Sequence, residues 1–424
     1  MAGTYVGGPR DVRPEQDGGR GVALSSVSDA RPFVVGIIGG GQLARMMYGP
    51  AIRLGLHVKL LAEAPGVSAA QVAHDVEYGD YTDPATVLAF AEGCDAITFD
   101  HEHVPTTLLQ QLEERGIAVR PGSAALVHAQ DKVVMRERLS ALGMPCPAFQ
   151  VVASAEELAA FGERIGWPVI AKTSRGGYDG KGVWKIDGPQ QAGEPFEALA
   201  SGEAGGGTTA GSGTSGEVQI LAEEFVDFTR ELSALVVRSP SGQGVTYPVS
   251  ETYQDRGICA ETLTPAPGLT DERAVATQQM ALRIAEELGV VGVLAVELME
   301  ARDGRILVNE LAMRPHNTGH WSIDGAHTSQ FENHLRAIAD LPLGDPASRA
   351  SWTVMVNVLG GSREDLADGL LHVLSRDPQL KVELYGKAVK ARRKVGHVTA
   401  YGPDLEDVRA RAQHAAQYLM GDLD

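Results

Sequence analysis

The sequence predicts an α/β amino-terminal unit followed by α+β units. Three observations carry this. From residue 33 to 99, short apolar runs alternate with segments whose apolar residues recur at helical spacing, as in a parallel sheet with crossing helices. Later apolar runs come in pairs around turn residues, at 239–244 and at Asp303-Gly304, as in antiparallel hairpins. Glycine-rich stretches punctuate both regions.

Composition sets the outer bounds. A chain of 424 residues, 43% hydrophobic and 22% charged, has room for several domains with full cores. Its formal net charge of −18 argues against nucleic acid, because a polyanion needs a basic face, but not against small phosphorylated ligands. Cys94, Cys146 and Cys259 are scattered, which disfavours a zinc site or a disulfide framework and suits a reducing cytoplasm. No apolar run is long enough for a bilayer, so no membrane partner is expected. Residues 1–31, rich in Gly, Ser, Pro, Arg and Asp, read as a flexible tail without the apolar core of a signal peptide.

The first strand is expected at 33–38. Gly39-Gly40-Gly41 follows, then a helix with Leu43, Met46, Met47 and Ile52 on one face, then a strand at 57–61 ending at Glu63. Residues 39–44 fit the dinucleotide pattern G-x-G-x-x-A. Any tight strand-to-helix turn needs such glycines, however, and a helix N-terminus favours any anion, including a substrate phosphate. A helix at 83–92 and a strand at 95–99 lead to Asp100-His101-Glu102-His103. Ligands of open α/β sheets lie at strand ends, so Glu102 is a substrate-site candidate; a polar loop fits the same spacing. A single helix is expected at 123–142, with Asp131-Lys132 inside it and a domain boundary near 130.

A strand at 167–172 delivers Lys172 to a loop containing Gly176, Gly177, Gly180, Lys181 and Gly182. Its backbone N–H groups can converge on phosphate oxygens; a plain hairpin turn is the other reading. Residues 201–216 are low-complexity Gly/Ser/Thr and read as a surface insertion. A strand at 218–222 runs into Glu223-Glu224-Phe225-Val226, where a backbone edge can read an adenine ring and Glu223 or Glu231 can hold ribose hydroxyls. A helix is expected at 270–288.

Apolar runs at 290–296 and 306–308 end in Glu297 and in Asn309-Glu310. Paired across Asp303-Gly304, they set Glu297 beside Glu310. Two adjacent carboxylates repel unless a cation lies between them. Mg²⁺ uses few protein carboxylates and fills its shell with phosphate and water, so the pair points to a nucleoside triphosphate; two solvated glutamates flanking a turn are the alternative. Arg314, His316, Asn317 and His320 follow in a loop, then a helix at 331–339. The last segment has strands at 352–359 and 397–400 and a helix at 405–419. Between them, Lys387, Lys390, Arg392, Arg393, Lys394 and His397 crowd together, which calls for an anionic ligand or forms a solvated basic face.

Taken in order, several strings resemble one family. They are Gly36-x-x-Gly-Gly-Gly-Gln-Leu-x-Arg-Met46, the Gly-Gly-Tyr-Asp-Gly-Lys-Gly run ending at Gly182, and Ala222-Glu-Glu-Phe-Val226. Further on come Val308-Asn-Glu-Leu-Ala-x-Arg-Pro-His-Asn-x-Gly-His-Trp321, Thr328-Ser-Gln-Phe-Glu332 and Tyr385-Gly-Lys followed by Arg-Lys-x-Gly-His397. The resemblance is to the N5-carboxyaminoimidazole ribonucleotide synthetases, ATP-grasp enzymes of purine biosynthesis, and it runs from about residue 33 to 400. It implies a Rossmann-like N-terminal domain without dinucleotide (32–129), a central ATP-grasp domain (130–346) and a small β-rich C-terminal domain (347–424).

The resemblance further implies ATP and Mg²⁺, the substrates 5-aminoimidazole ribonucleotide and bicarbonate, and a homodimer. It places Lys132 and Lys172 on ATP phosphates, with Gly177, Tyr178, Asp179, Gly180, Lys181, Gly182 and Val183 as a mobile cover. Glu223, Glu224, Phe225, Val226 and Glu231 fall at adenine and ribose, Asn309 beside the nucleotide, and Glu297 and Glu310 on Mg²⁺. Asp179, Arg314, His316 and Asn317 surround bicarbonate and the reacting amine. Gln42, Glu102, Lys387, Arg393 and Lys394 form the ribonucleotide pocket. The chain departs from the family pattern at Ala44, a usual Gly, at Gln254, a frequent His, and at Lys390-Ala391-Arg392. A biotin-type carboxylase would lack a use for the basic segment, and an NAD-dependent oxidoreductase would leave Glu297, Glu310 and the 176–182 loop unexplained.

Overall fold

The computed structural model describes residues 31–176, 181–202 and 218–423. Most of the expected tail, the loop residues Gly177, Tyr178, Asp179 and Gly180, and most of the expected insertion lie outside the described residues. Arg31, counted with the tail, forms a two-point ion pair with Asp95 at 2.7 and 2.8 Å.

Strands β1 (Val34–Ile38), β2 (His57–Ala62), β3 (Asp75–Tyr78), β4 (Ala96–Phe99) and β5 (Ala118–Val119) form a sheet ordered β3-β2-β1-β4-β5, parallel throughout. The turn after β1 puts Gly39 at φ +105°, a conformation that glycine adopts without strain. The helix Gln42–Leu54 starts there, and its N-terminal N–H groups meet a carboxylate: Asp100, at the end of β4, accepts from Gly41 N (3.0 Å) and Ala44 N (2.8 Å). A Cβ on Gly41 would lie 2.0 Å from that carboxylate. The seat a pyrophosphate would take is thus filled by the chain itself, which overturns the dinucleotide reading of residues 39–44.

Strands β6 (Phe149–Val152), β7 (Val169–Thr173), β8 (Val183–Ile186) and β9 (Ile220–Glu224) form an antiparallel sheet ordered β6-β9-β7-β8. The third sheet holds β10 (Phe228–Arg238), β11 (Gly244–Thr246), β12 (Ser250–Asp255), β13 (Ile258–Thr264), β14 (Gly292–Ala301) and β15 (Ile306–Ala312). Strands β16 (Trp352–Leu359), β17 (Lys381–Leu384) and β18 (Lys394–Gly402) complete it. Its order is β15-β14-β10-β12-β13-β16-β18-β17, with β11 on β10. The C-terminal strands therefore extend the central sheet through the β13–β16 pairing, Glu261 opposite Val356.

The expected helix at 123–142 is two helices, Ser123–Gln130 and Lys132–Ala141. Asp131 breaks it. Its backbone is extended, and its carboxylate accepts from Val133 N (2.9 Å) and Val134 N (3.2 Å), capping the second helix. The hairpin strands outrun the apolar runs that announced them, because polar residues such as Glu297, Glu300 and Glu310 continue the ladder rather than ending it. Strands β3 and β17 and the helix Ala367–Arg376 had no clear sequence signal.

The helix Gln330–Ile338 locks the first unit to the central sheet. Phe331, Leu335 and Ile338 enter the core that holds Val35, Ile37, Met47 and Leu60. On the same helix, His334 Nδ1 accepts from Val293 N (3.1 Å) on β14, and Nε2 lies 2.9 Å from Thr98 Oγ1 on β4. Tyr385 joins the C-terminal segment to both: its carbonyl accepts from Ser68 Oγ (2.5 Å) and its hydroxyl meets His397 Nδ1 (2.7 Å).

Burial pushes His334 and His397 each down to about 3, so both stay neutral in the folded protein. The unfolded chain binds these protons near pH 6.5, so the stabilisation is full above 6.5 and shrinks as pH falls from there toward 3. Below pH 6.5 the unfolding free energy should drop by about 1.4 kcal/mol per pH unit for each of these histidines. Urea titrations at several pH values should show this slope, and His334→Gln should flatten it.

Candidate active site

The register of β14 and β15 builds the centre of the site. Glu297 pairs with Glu310, then the register slips so that Leu298 faces Val308, leaving Asn309 as the extra residue of a bulge. A bulge re-aims the side chains around it, and here Asn309 and Glu310 both meet lysines. Lys132 Nζ lies 2.9 Å from Glu310 Oε1, and Lys172 Nζ lies 3.1 Å from Asn309 Oδ1. The Asp131 break is what delivers Lys132: its N–H donates to Ser174 O (2.8 Å), while Asp131 Oδ2 accepts from Arg175 Nε (2.6 Å).

Glu297 sits against His316, whose Nε2 is 3.2 Å from Glu297 Oε1 and whose Nδ1 is 2.8 Å from Thr318 Oγ1. Burial would raise the Glu297 carboxyl, but the His316 hydrogen bond and the charges of His316, Arg314 and Lys394 outweigh it and hold the group low. Across β10, burial and then the Glu297 charge push Glu231 up to about 7. The carboxylates here are crowded enough to resist a further negative charge and to welcome a cation. Among the described residues no cluster of three His, Cys, Asp or Glu forms a metal cage. A two-carboxylate seat with Asn309 beside it suits Mg²⁺, which keeps positions for phosphate oxygens and water.

The adenine strip is corrected in part. Glu223 does not offer its carboxylate to a ribose: it is 2% exposed and holds Arg136 Nε and Lys172 Nζ (2.7 Å). Burial works against its charge, but Lys172 and Arg136 win and bring it to about 2. Glu224 is likewise engaged, its N–H and carboxylate both bonded to Ala148. Val226 packs against Met299 and Leu307, and Phe225 stays exposed under Lys185. Beside Lys172, Thr173 N donates to Gly182 O (2.9 Å) and Lys172 pairs with Val183, so β7 and β8 form an antiparallel pair that ends at Thr173 and Gly182. Lys181 directly follows the residues 177–180, which lie outside the described ones.

At the other end, Lys387 Nζ donates to Gln42 Oε1, joining the two expected ribonucleotide contacts from opposite ends of the chain. Burial lowers the Lys387 ammonium, with Asp100 opposing. Glu102 is occupied, accepting from Met313 N (2.6 Å) and Arg314 Nε (3.2 Å), so it fixes the Arg314 loop. The Arg393 side chain makes a long bond to Ala388 O at 3.4 Å, while its backbone is held by Lys390 and Gly360. Lys394 opens β18, and its charge acts on both Glu297 and Lys387. Asn317 is 9% exposed, and its buried amide lies against the Cys259 thiol. Asp100, Asp131 and Arg136 were missed as working residues. Arg136 lies on the buried helix face with Val133 and Leu139, and a charge at that spacing is the signal that could have found it.

Two lysines and two carboxylates between a small antiparallel sheet and a larger one define an ATP-grasp ligase. Family models match in series: the ribonucleotide synthetase preATP-grasp domain at 33–130, the ATP-grasp domain at 137–331, and the phosphoribosylaminoimidazole carboxylase C-terminal domain at 353–411. The N5-carboxyaminoimidazole ribonucleotide synthase of Mycobacterium tuberculosis is 48% identical over 94% of this chain and 91% of its own length. The Thermus thermophilus synthetase structure superposes with a TM-score of 0.78 at 36% identity, over 92% of this chain and 99% of that one. The Aspergillus clavatus synthase, solved with ADP and 5-aminoimidazole ribonucleotide, gives 0.80 at 29% identity, over 92% and 99%. The chain belongs to the N5-carboxyaminoimidazole ribonucleotide synthase family.

The folded Glu223 pKa of about 2 lies below its ordinary value of 4.5, so its stabilisation is full above pH 4.5 and is lost as pH falls from there to 2. Acid unfolding of Glu223→Gln should therefore show less stability than the wild type at pH 7, with the two curves converging toward pH 2. Circular dichroism across that range checks it.

Proposed function

We propose that this chain performs the ATP-dependent carboxylation of 5-aminoimidazole ribonucleotide by bicarbonate, giving N5-carboxyaminoimidazole ribonucleotide, ADP and phosphate. The observation that carries this is the facing pair Glu297 and Glu310, with Lys132 on Glu310, Lys172 on the neighbouring Asn309 and His316 on Glu297. Bicarbonate is a poor electrophile. A bicarbonate oxygen attacks the γ-phosphorus, the bond to ADP breaks, and carboxyphosphate forms. Its C–O bond then breaks, releasing phosphate and CO₂, and the substrate amine attacks the carbon and loses a proton.

Each residue has work in this scheme. Lys132 and Lys172 orient the triphosphate and offset its charge, and phosphoryl transfer depends mainly on such positioning. Glu297 and Glu310 would hold Mg²⁺, which supplies charge neutralisation at the transferred phosphoryl group. Lys132 must exchange Glu310 for phosphate when nucleotide enters, since the two are paired here. Arg314, fixed by Glu102, and the Asn317 amide offer donors to a small planar anion. Gln42, Lys387, Arg393 and Lys394 make a polar, cationic pocket for the ribonucleotide phosphate. The base assigned by resemblance, Asp179, lies outside the described residues.

We take units 32–129, 130–346 and 347–424 as the working domains, with the helix break at Asp131 supporting the first boundary. A homodimer in the cytoplasm belongs to the same reading. The free thiols of Cys94, Cys146 and Cys259 agree with a reducing compartment. No helix among the described residues is long and apolar enough to cross a membrane.

With ATP, Mg²⁺ and ¹³C-bicarbonate, ADP release should require the ribonucleotide, and ¹³C should enter the product. Glu310→Gln should lower kcat at least about a hundredfold, the scale of a lost electrostatic contact to a transferring phosphoryl group. ADP release indifferent to the ribonucleotide would remove the substrate assignment.

A further inference from the structure

Arg136 has no place in the reaction just described, yet it is among the most deeply buried charges in the protein, at 0% exposed. It projects from the helix Lys132–Ala141 into the seam between the two sheets that hold the nucleotide residues. There Nε donates to Glu223 Oε1 on β9, and Nη2 donates to Asn309 O (2.8 Å) on β15. The other oxygen of Glu223 accepts from Lys172 Nζ (2.7 Å), and Lys172 Nζ also donates to Asn309 Oδ1 (3.1 Å). Four residues from four elements thus close a ring, Arg136, Glu223, Lys172 and Asn309, the last joined through both its backbone carbonyl and its side chain.

The donor count gives the ring a purpose. An ammonium has three N–H donors. Lys172 spends one on Glu223 and one on Asn309, leaving a third with no partner among the described residues. The charge count points the same way. Lys172 with Glu223 alone is neutral, and a buried neutral pair offers little to a polyanion. Adding the guanidinium returns the group to a net single positive charge. It also occupies Glu223 Oε1, so that the carboxylate cannot take Lys172 with both oxygens. The second Arg136 bond fixes the Asn309 carbonyl, at the bulge that turns Glu310 toward Lys132.

We propose that Arg136 is a positioning residue for ATP: by anchoring Glu223 and the Asn309 backbone, it keeps one N–H of Lys172 aimed at the triphosphate and the lysine's charge uncompensated. The proposal rests on the assignment of Lys172 to ATP. It acts on nucleotide binding alone, with no contact to the ribonucleotide pocket around Gln42 and Lys387.

The test is the affinity for a non-hydrolysable ATP analogue with Mg²⁺, measured by calorimetry without the ribonucleotide, for Arg136→Met, Arg136→Lys, Glu223→Gln and the double variants. Arg136→Met should weaken binding about tenfold, the size of one charged hydrogen bond, while the KM for the ribonucleotide stays within about twofold. Arg136→Lys should recover most of the affinity. Because Arg136 acts in large part through Glu223, the double variant Arg136→Met/Glu223→Gln should lose less affinity than the sum of the two single losses. If Arg136→Met does not fold, the cycle built on Arg136→Lys and Glu223→Gln reads the same coupling. Additive losses, unchanged nucleotide affinity in Arg136→Met, or an equal loss for the ribonucleotide would overturn the proposal. Wild-type binding of the analogue without ribonucleotide-dependent ADP release would instead count against the substrate reading and leave the Arg136 proposal standing.

Discussion

A backbone ladder forces two carboxylates together, and much of the site answers to that. The β14–β15 pairing sets Glu297 opposite Glu310 whatever their charges prefer. Left bare, they would repel, and burial of Glu297 would make the repulsion costly. The protein answers with His316 beside Glu297 and Lys132 beside Glu310. Both partners are groups that can also meet substrate anions. Without ligands the centre is therefore balanced internally, and nucleotide with its cation replaces one set of partners with another. The same logic extends to Lys172, shared between Glu223 and Asn309.

The scaffold keeps this centre in register with distant parts of the chain. The helix Gln330–Ile338 follows the Arg314–Trp321 segment after the short helix Ser322–Gly325 and buries its apolar face in the first unit's core. Tyr385 ties the basic C-terminal segment to the same place. The loop, the Gln42 turn and Lys387 are thus held by one packed junction, with the neutral His320 and His397 rings stacked 5.0 Å apart inside it. Asp100 shows how a phosphate-binding turn changes use. The glycines remain, but a carboxylate of the chain caps the helix they introduce.

The hairpin carrying Glu297 and Glu310 was legible because two apolar runs, one of seven residues and one of three, flank a strong turn, so the pairing, though not the bulge in its register, follows from pattern. The lysines were legible by their strand ends and the strings around them. The Asp131 break was not, since Asp-Lys inside an amphipathic run reads as continuous helix until the carboxylate is seen capping it. Glu223 was misread because its acidity suggests a ribose contact, whereas its neighbours in space, Arg136 and Lys172, lie far away in sequence. The bulge at Asn309 has no sequence signature, and short strands such as β3 and β17 depend on neighbours rather than on their own pattern.

The most direct test of the carboxylate pair uses Mn²⁺ in place of Mg²⁺. Electron paramagnetic resonance would follow Mn²⁺ bound to the protein with a non-hydrolysable ATP analogue, in the wild type and in Glu297→Gln and Glu310→Gln. The expected result is one nucleotide-dependent Mn²⁺ signal, lost or strongly weakened in both variants. An undiminished signal in both would contradict the idea that the Glu297–Glu310 register exists to hold a cation.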